Sequence, residues 1–487
     1  MTHKRINIDA LMASSGVHFG TSGARGLVTS MSDELCYAYS MAFLQEVVGK
    51  GEPIGKVVLG HDLRPSSPQI ASACAMAIKN AGGQVIYTGA LPTPAIALYA
   101  QQHNAAAIIV TGSHIPFDRN GIKFYRLEGE IAKTDELAIQ KAIVDVPSEL
   151  SLNPLPVPDV EVESQYVQRY VDFFGAGYFS RLRVAVYEHS SVARDLLRQV
   201  LEQLGAEVIS LGRTNDFVPI DTEAVRPEDV IQARKWAQEY TFDAIFSTDG
   251  DADRPLIGDE HGEWLRGDVV GILCAKFLDA DVVVTPVSSN TLAEKSGWFS
   301  EVIRTRIGSP YVIAGIEQAS SVSPGVVVGF EANGGFLLGS DVVRKGNRLF
   351  ALPTRDAVLP MLAVLAIAKE QGVKISSLVA DLPERYTASD RLQSFPTDES
   401  AALLKAFQQD QQQAAQVMAP NAGHVVSVDL TDGLRITFSS GDIVHLRPSG
   451  NAPELRCYAE SDTQTKAQSL CDQCLARVHA LSKAKTG

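Results

Sequence analysis

KVVLGHDLRPSSPQIASACAMAIKNAGGQVIYTG, residues 56–89, sets the architecture. A β-branched run, Val57 to Leu59, enters a loop with paired serines. Small apolar residues follow at helical spacing and stop at Gly82-Gly83, a helix C-cap signal. A second β-rich run then leads to Gly89. Strand, helix, strand at this spacing is a βαβ unit, which demands parallel strands. The same order returns in RVAVYEHSSVARDLLRQVLEQLGAEVISLG, 183–212, and in DVVVTPVSSNTLAEKSGWFSEVIRTRIG, 281–308. Recurrence predicts three similar α/β domains in series, with mixed, largely parallel sheets.

Working outward, VPSELSLNPLPVPD, 146–159, is proline-rich and aperiodic, as a linker should be. The last hundred or so residues break the pattern. Short alternating runs (HVVSVDL, GLRITFS, DIVHLRPS, LRCYAE) precede an amphipathic helix, which predicts a smaller α+β domain. The expected division is 1–155, 156–260, 261–375 and 376–487, four domains around a central cleft. A chain of 487 residues is too long for one core. Its net charge of −14 argues against nucleic acid and anionic membranes as partners. The longest apolar stretch, Met361 to Ala368, is too short to span a bilayer. The N-terminus lacks a signal-peptide core, and the six cysteines show no framework spacing. Cys471 and Cys474 form a CxxC without a second pair, which reads as ordinary helix positions. A reduced, cytoplasmic protein is expected.

Ligands of open α/β sheets bind at the carboxyl ends of strands. Four loops at such ends carry chemistry. In DAIFSTDGDADRP, 243–255, Asp249, Asp251 and Asp253 alternate, so an extended segment points all three carboxylates to one side. A hard cation, Mg²⁺ or Ca²⁺, would relieve their repulsion; a solvated acidic turn is the plain alternative. An EF-hand is excluded, because Arg254 stands where the sharp turn needs glycine. In VTGSHIPFDRNGIKF, 110–124, Ser113 is a candidate nucleophile, His114 a base and Lys123 a charge near the reacting oxygen. Alone, that serine reads equally as a turn residue bonding its own backbone. RPSGNAPELR, 447–456, offers a guanidinium, a hydroxyl and backbone N–H groups, as a phosphate nest does; a hairpin turn with an incidental arginine reads as well. VVVGFEANGGFLLG, 326–339, brings Glu331 and Asn333 to a glycine turn, where acceptor and amide suit sugar hydroxyls.

These loops in this order, with FGTSGARG at 19–26, resemble the α-D-phosphohexomutase family, of phosphomannomutase and phosphoglucomutase type. The resemblance implies a hexose 6-phosphate to hexose 1-phosphate mutase, acting on mannose and also glucose. It would work through a phosphoserine at Ser113 and a 1,6-bisphosphate intermediate that doubles as activator. It implies Mg²⁺ on Asp249, Asp251, Asp253 and the Ser113 phosphate, with His114, Lys123 and Arg25 around the reacting group. It places Arg254, Arg306, Glu331, Asn333, Arg447, Ser449, Gly450 and Asn451 against the substrate. The sugar loop departs from the family in Asn333 for serine and Gly335 for histidine, and Ile115 stands for asparagine beside the nucleophile. The phosphate loop departs in Asn451 for threonine and Ala452 for glutamate. Phosphoglucosamine mutase is the alternative within the class, and a non-catalytic sugar-phosphate binder the one outside it. A monomer or homodimer is expected.

Overall fold

The computed structural model describes residues 2–20, 23–449 and 453–486. In the first domain Gln84–Ala90, Lys56–His61 and Ala106–Val110 run parallel. Arg119–Arg126 then returns antiparallel beside Ala106–Val110, and Ala24–Leu27 lies antiparallel beside it in turn. The second domain repeats this with Glu207–Leu211, Arg183–Tyr187 and Ala244–Thr248 parallel and Pro255–Gly258 antiparallel. The third has Glu301–Thr305, Val282–Pro286 and Val327–Phe330 parallel, then Phe336–Leu338 and Leu352–Asp356 antiparallel. Central strands are covered on both faces and read as unbroken apolar runs; Val57, Val58 and Leu59 are wholly buried. The fold class read from the repeats therefore holds.

The third unit differs in its helix. Only Leu292–Lys295 is helical before Gly297, at φ +65°, turns the chain into Glu301–Thr305. The long helix of that domain, Ser309–Val322, comes after the strand instead.

The fourth domain is a five-stranded antiparallel sheet, ordered Tyr386–Leu392, Leu455–Ser461, Ile443–Pro448, Leu434–Phe438, Val425–Asp429. It has its own core, backed by Thr397–Gln409, Gln411–Met418 and Gln464–Thr486. Cys457, Cys471 and Cys474 are free thiols within that core. The first three domains share one larger core. The helix Val358–Gln371, buried on every side from Val358 to Ala368, runs through it. Among the described residues no helix is long and apolar enough to cross a membrane.

One regularity positions everything that follows. In each α/β domain the chain leaves a parallel strand at Val110, Thr248 or Phe330, makes a loop, and returns antiparallel. The Ser113 loop, the acidic loop and the Glu331 loop occupy this same topological position in the three domains.

Candidate active site

Ser113 sits in the left-handed region at φ +51°, a strain of about 1–3 kcal/mol for a non-glycine residue. A buried pair holds it there. Asp62 Oδ2 accepts hydrogen bonds from Thr111 Oγ1 (2.8 Å) and the Gly112 N–H (3.2 Å). Thr111 Oγ1 in turn accepts from the Ser113 N–H at 2.8 Å. Arg64, paired with Asp62 at 3.2 Å, donates to the carbonyls of Ser113, Ile115, Pro116 and Arg119. Asp62 and Arg64 lie in the HDLRPSS loop that the sequence reading used only for its serines. Arg64→Met would leave those carbonyls and Asp62 unpaired in the interior. Breaking a buried ion pair from one side costs roughly 3–5 kcal/mol. We expect a clear drop in thermal midpoint, measured by calorimetry.

Antiparallel pairing delivers the neighbouring cations. Lys123 lies opposite Ile109, and Arg25 opposite Gly121. Gly121 has to be glycine: a Cβ there would meet the Ala24 carbonyl oxygen at 2.7 Å and Arg25 Cγ at 2.9 Å. Ser113 Oγ donates to Asp249 Oδ2 at 2.5 Å. His114 Nδ1 lies 3.2 Å from the same Oγ and accepts from Arg254 Nη1 at 3.0 Å. A nitrogen that accepts from a guanidinium carries no proton, so the ring is neutral. Burial, then Arg254 and Arg25, push the His114 pKa well below its usual range. Burial and the neighbouring arginines lower even Arg25, to about 10.

The acidic loop is wholly buried. Asp251 Oδ2 accepts from Lys123 Nζ (2.6 Å) and Thr93 Oγ1 (2.7 Å). Asp253 Oδ2 accepts from Lys123 Nζ at 2.6 Å and faces Arg355 Nη2 at 2.8 Å. Oδ1 of Asp251 and Oδ1 of Asp253 are buried with no hydrogen-bond partner among the described residues. One oxygen from each of the three carboxylates falls within 4.8 Å of the others. Burial, then Asp251 and Asp253, raise Asp249 well above the usual carboxylate range. Burial acts the same way on Asp253, but Arg355, Lys123 and Arg254 outweigh it and hold that group low. Three converging carboxylates, two of which each keep one buried oxygen without a hydrogen-bond partner among the described residues, fit a hard divalent cation.

A cavity of about 400 Å³ opens over this centre. Arg25, His114, Arg254 and Arg355 form one end, and Arg391, Arg447, Ser449 and Arg456 of the fourth domain form the other. Glu331 and Asn333 lie between. Lys123 lies beneath the floor, fully enclosed by its two aspartates. Arg447 Nε pairs with Asp432 at 2.8 Å, and Asp432 also accepts the Ile307 N–H at 3.0 Å. Arg306 is outside the cavity lining, half exposed and 3.8 Å from that same Asp432. Gly450 and Asn451 lie outside the described residues.

Arg355 was not anticipated. It stands next to last in the strand Leu352–Asp356 and spans Asp253 and Glu331, the latter at 3.3 Å. Its stem fills the space beside Gly335, where a Cβ would lie 2.7 Å from Arg355 Cδ. The glycine that departs from the family pattern therefore makes room for a buried arginine. The sequence signal was an Arg-Asp pair ahead of an apolar run, in TRDAV, within a segment that carried no recognisable motif.

Sequence models of the four phosphoglucomutase/phosphomannomutase domains match most of the chain. The α/β/α domain I model matches residues 16–148, domain II 165–262, domain III 266–386 and the C-terminal domain 391–477. A phosphomannomutase of Salmonella muenchen is 47% identical over 95% of this chain and 96% of its own length. A phosphomannomutase of Sinorhizobium fredii is 43% identical over 95% and 98%. A phosphoglucosamine mutase of Desulforamulus reducens is 28% identical over 93% and 97%. The fold is shared with a phosphoglucomutase/phosphomannomutase family protein of Burkholderia thailandensis (TM-score 0.73, 20% identity, 95% and 97% covered). It is also shared with an Aspergillus fumigatus N-acetylphosphoglucosamine mutase solved with GlcNAc-6P and magnesium (TM-score 0.59, 13% identity, 98% and 99% covered). The chain belongs to the phosphoglucomutase/phosphomannomutase family.

Proposed function

We propose that this enzyme interconverts mannose 6-phosphate and mannose 1-phosphate, and the glucose pair as well, with Ser113 as the phosphoryl relay. The carrying observation is the 2.5 Å bond from Ser113 Oγ to Asp249, at one end of a cavity whose other end is lined by arginines. A mutase must present two phosphates in turn to one serine, so it needs a reaction end and a holding end.

In the forward step a free hydroxyl of the bound monophosphate attacks the phosphorus on Ser113. The bond from Ser113 Oγ to phosphorus breaks and a bond from the sugar oxygen forms. The hydroxyl proton passes by way of His114, neutral beforehand and 3.2 Å from Ser113 Oγ, to the departing serine oxygen, which becomes a hydroxyl again. The bisphosphate then turns, and its other phosphate returns to Ser113. Arg25, Arg254 and Lys123 offset charge on the transferring group. Asp249, Asp251 and Asp253 would hold Mg²⁺, which supplies further charge neutralisation when bound. Glu331 and Asn333 receive sugar hydroxyls, and Arg447 with Ser449, Gly450 and Asn451 grips the phosphate that is not reacting.

Arg447→Ala should raise KM for the monophosphate about tenfold or more, the scale of one charge-assisted contact. It should lower kcat too if the fourth domain closes to assemble the site. Steady-state kinetics checks this, and unchanged parameters would remove Arg447 from the phosphate site.

The substrate assignment is tested by kcat/KM on mannose, glucose and glucosamine 1-phosphates with a bisphosphate activator. A sugar loop that grips hydroxyls away from C2 separates mannose from glucose weakly, by roughly 10–200-fold at most. Both should turn over, with glucosamine 1-phosphate poorest. A tenfold preference for glucosamine 1-phosphate would replace this reading with phosphoglucosamine mutase.

A further inference from the structure

The cavity has a pattern of charge that its motifs do not explain. Arg25, Arg254 and Arg355 are at one end and Arg391, Arg447 and Arg456 at the other. The lining carries four carboxylates: Asp390, next in sequence to Arg391 of the fourth domain, Glu331 of the sugar loop, and an added pair, Asp221 and Glu223. The added pair comes from the second domain, in the irregular segment before the helix Pro227–Glu239. That segment carries none of the four motifs.

Its position is built. Thr222 Oγ1 donates to the Asn333 carbonyl at 2.6 Å, tying the segment to the sugar loop of the third domain. The Glu223 N–H donates to Asp221 Oδ1 at 3.0 Å, a turn that presents the Glu223 side chain into the cavity. Glu223 lies within electrostatic reach of Arg254 and Glu331 on the serine side, and of Arg456 and Tyr458 in the fourth domain. It therefore stands between the two ends. No hydrogen bond or ion pair to its carboxylate is made among the described residues. A phosphate would be repelled there, whereas a hydroxyl donor would be held. A hexose bisphosphate, anionic at both ends and hydroxylated in the middle, complements this arrangement.

We propose that Glu223 is a second sugar-contacting residue, accepting a hydrogen bond from one ring hydroxyl opposite Glu331 and contributing to substrate selection. This rests on the hexose-phosphate reading above. A charged acceptor bonded to a substrate hydroxyl is worth about 1.5–3 kcal/mol, or roughly 10–150-fold in kcat/KM.

The test pairs Glu223→Gln with substrates lacking one hydroxyl. kcat/KM is measured for both enzymes on glucose 1-phosphate and on its 2-deoxy, 3-deoxy and 4-deoxy analogues. Glu223→Ala repeats the set in case the amide variant folds poorly, and thermal unfolding is recorded for each protein. We expect a loss of about tenfold or more on glucose 1-phosphate. On the analogue that lacks the partner hydroxyl, the loss should shrink to about twofold or less, because removing either partner already breaks the bond. An equal loss on all four sugars, or none on any, overturns the proposal. Wild-type turnover of glucose and mannose 1-phosphates separates this outcome from failure of the functional assignment itself.

Discussion

Ser113→Ala should lower kcat by about 10⁴-fold or more, as removal of a covalent nucleophile does. That corresponds to roughly 5.4 kcal/mol of barrier. In the proposed relay this hydroxyl accepts the phosphoryl group, and no other hydroxyl among the described residues bonds to the Asp249 carboxylate. The fold should survive, since the loop is held by Asp62 and Arg64 through Thr111, Gly112 and backbone carbonyls, not through Ser113 Oγ. Thermal unfolding close to wild type, with turnover near the detection limit, is the expected pair of results. Full activity in this variant would remove the serine from the mechanism.

The second large effect is expected at the acidic loop. Asp251→Asn keeps the shape but removes a charge from a site where one oxygen of each carboxylate converges within 4.8 Å. It also weakens the hold on Lys123, which then has only Asp253 as a full counter-charge. Loss of one charged ligand should cost more than the roughly 10–100-fold typical of an outer-shell partner. Calorimetric titration with Mg²⁺ reads this directly, without any sugar present. Turnover should fall by about 10²–10³-fold, the scale of a lost electrostatic group. Unchanged Mg²⁺ affinity would mean that the orphaned oxygens of Asp251 and Asp253 are not metal ligands.

The sequence carried the architecture because βαβ units leave a local record: an apolar run, a turn, a helix and a glycine stop within each repeat. It carried Ser113 and the aspartates because their spacing is short and their chemistry is unusual at a strand end. It did not carry Arg64, Arg355 or Glu223. Each acts over a long sequence distance: Arg64 on residues 49 to 55 positions away, Arg355 on Asp253, and Glu223 through a bond between Thr222 and Asn333, 111 positions apart. Such contacts exist only once domains pack, and no local periodicity encodes them. Mixed sheets were expected, but which strand runs antiparallel is not legible locally, for a related reason. A run such as GIKFY looks the same in either direction, yet that direction is what puts Lys123 beneath Asp251 and Asp253.

The relay itself is open to direct measurement. The enzyme is incubated briefly with hexose 1,6-bisphosphate carrying a radioactive phosphate, then digested and mapped by mass spectrometry. The account predicts one labelled peptide, with the phosphoryl group on Ser113. It also predicts that chasing with unlabelled mannose 1-phosphate removes the label at the rate of turnover. A label on another residue, or a label on Ser113 that the sugar phosphate cannot discharge, would contradict it.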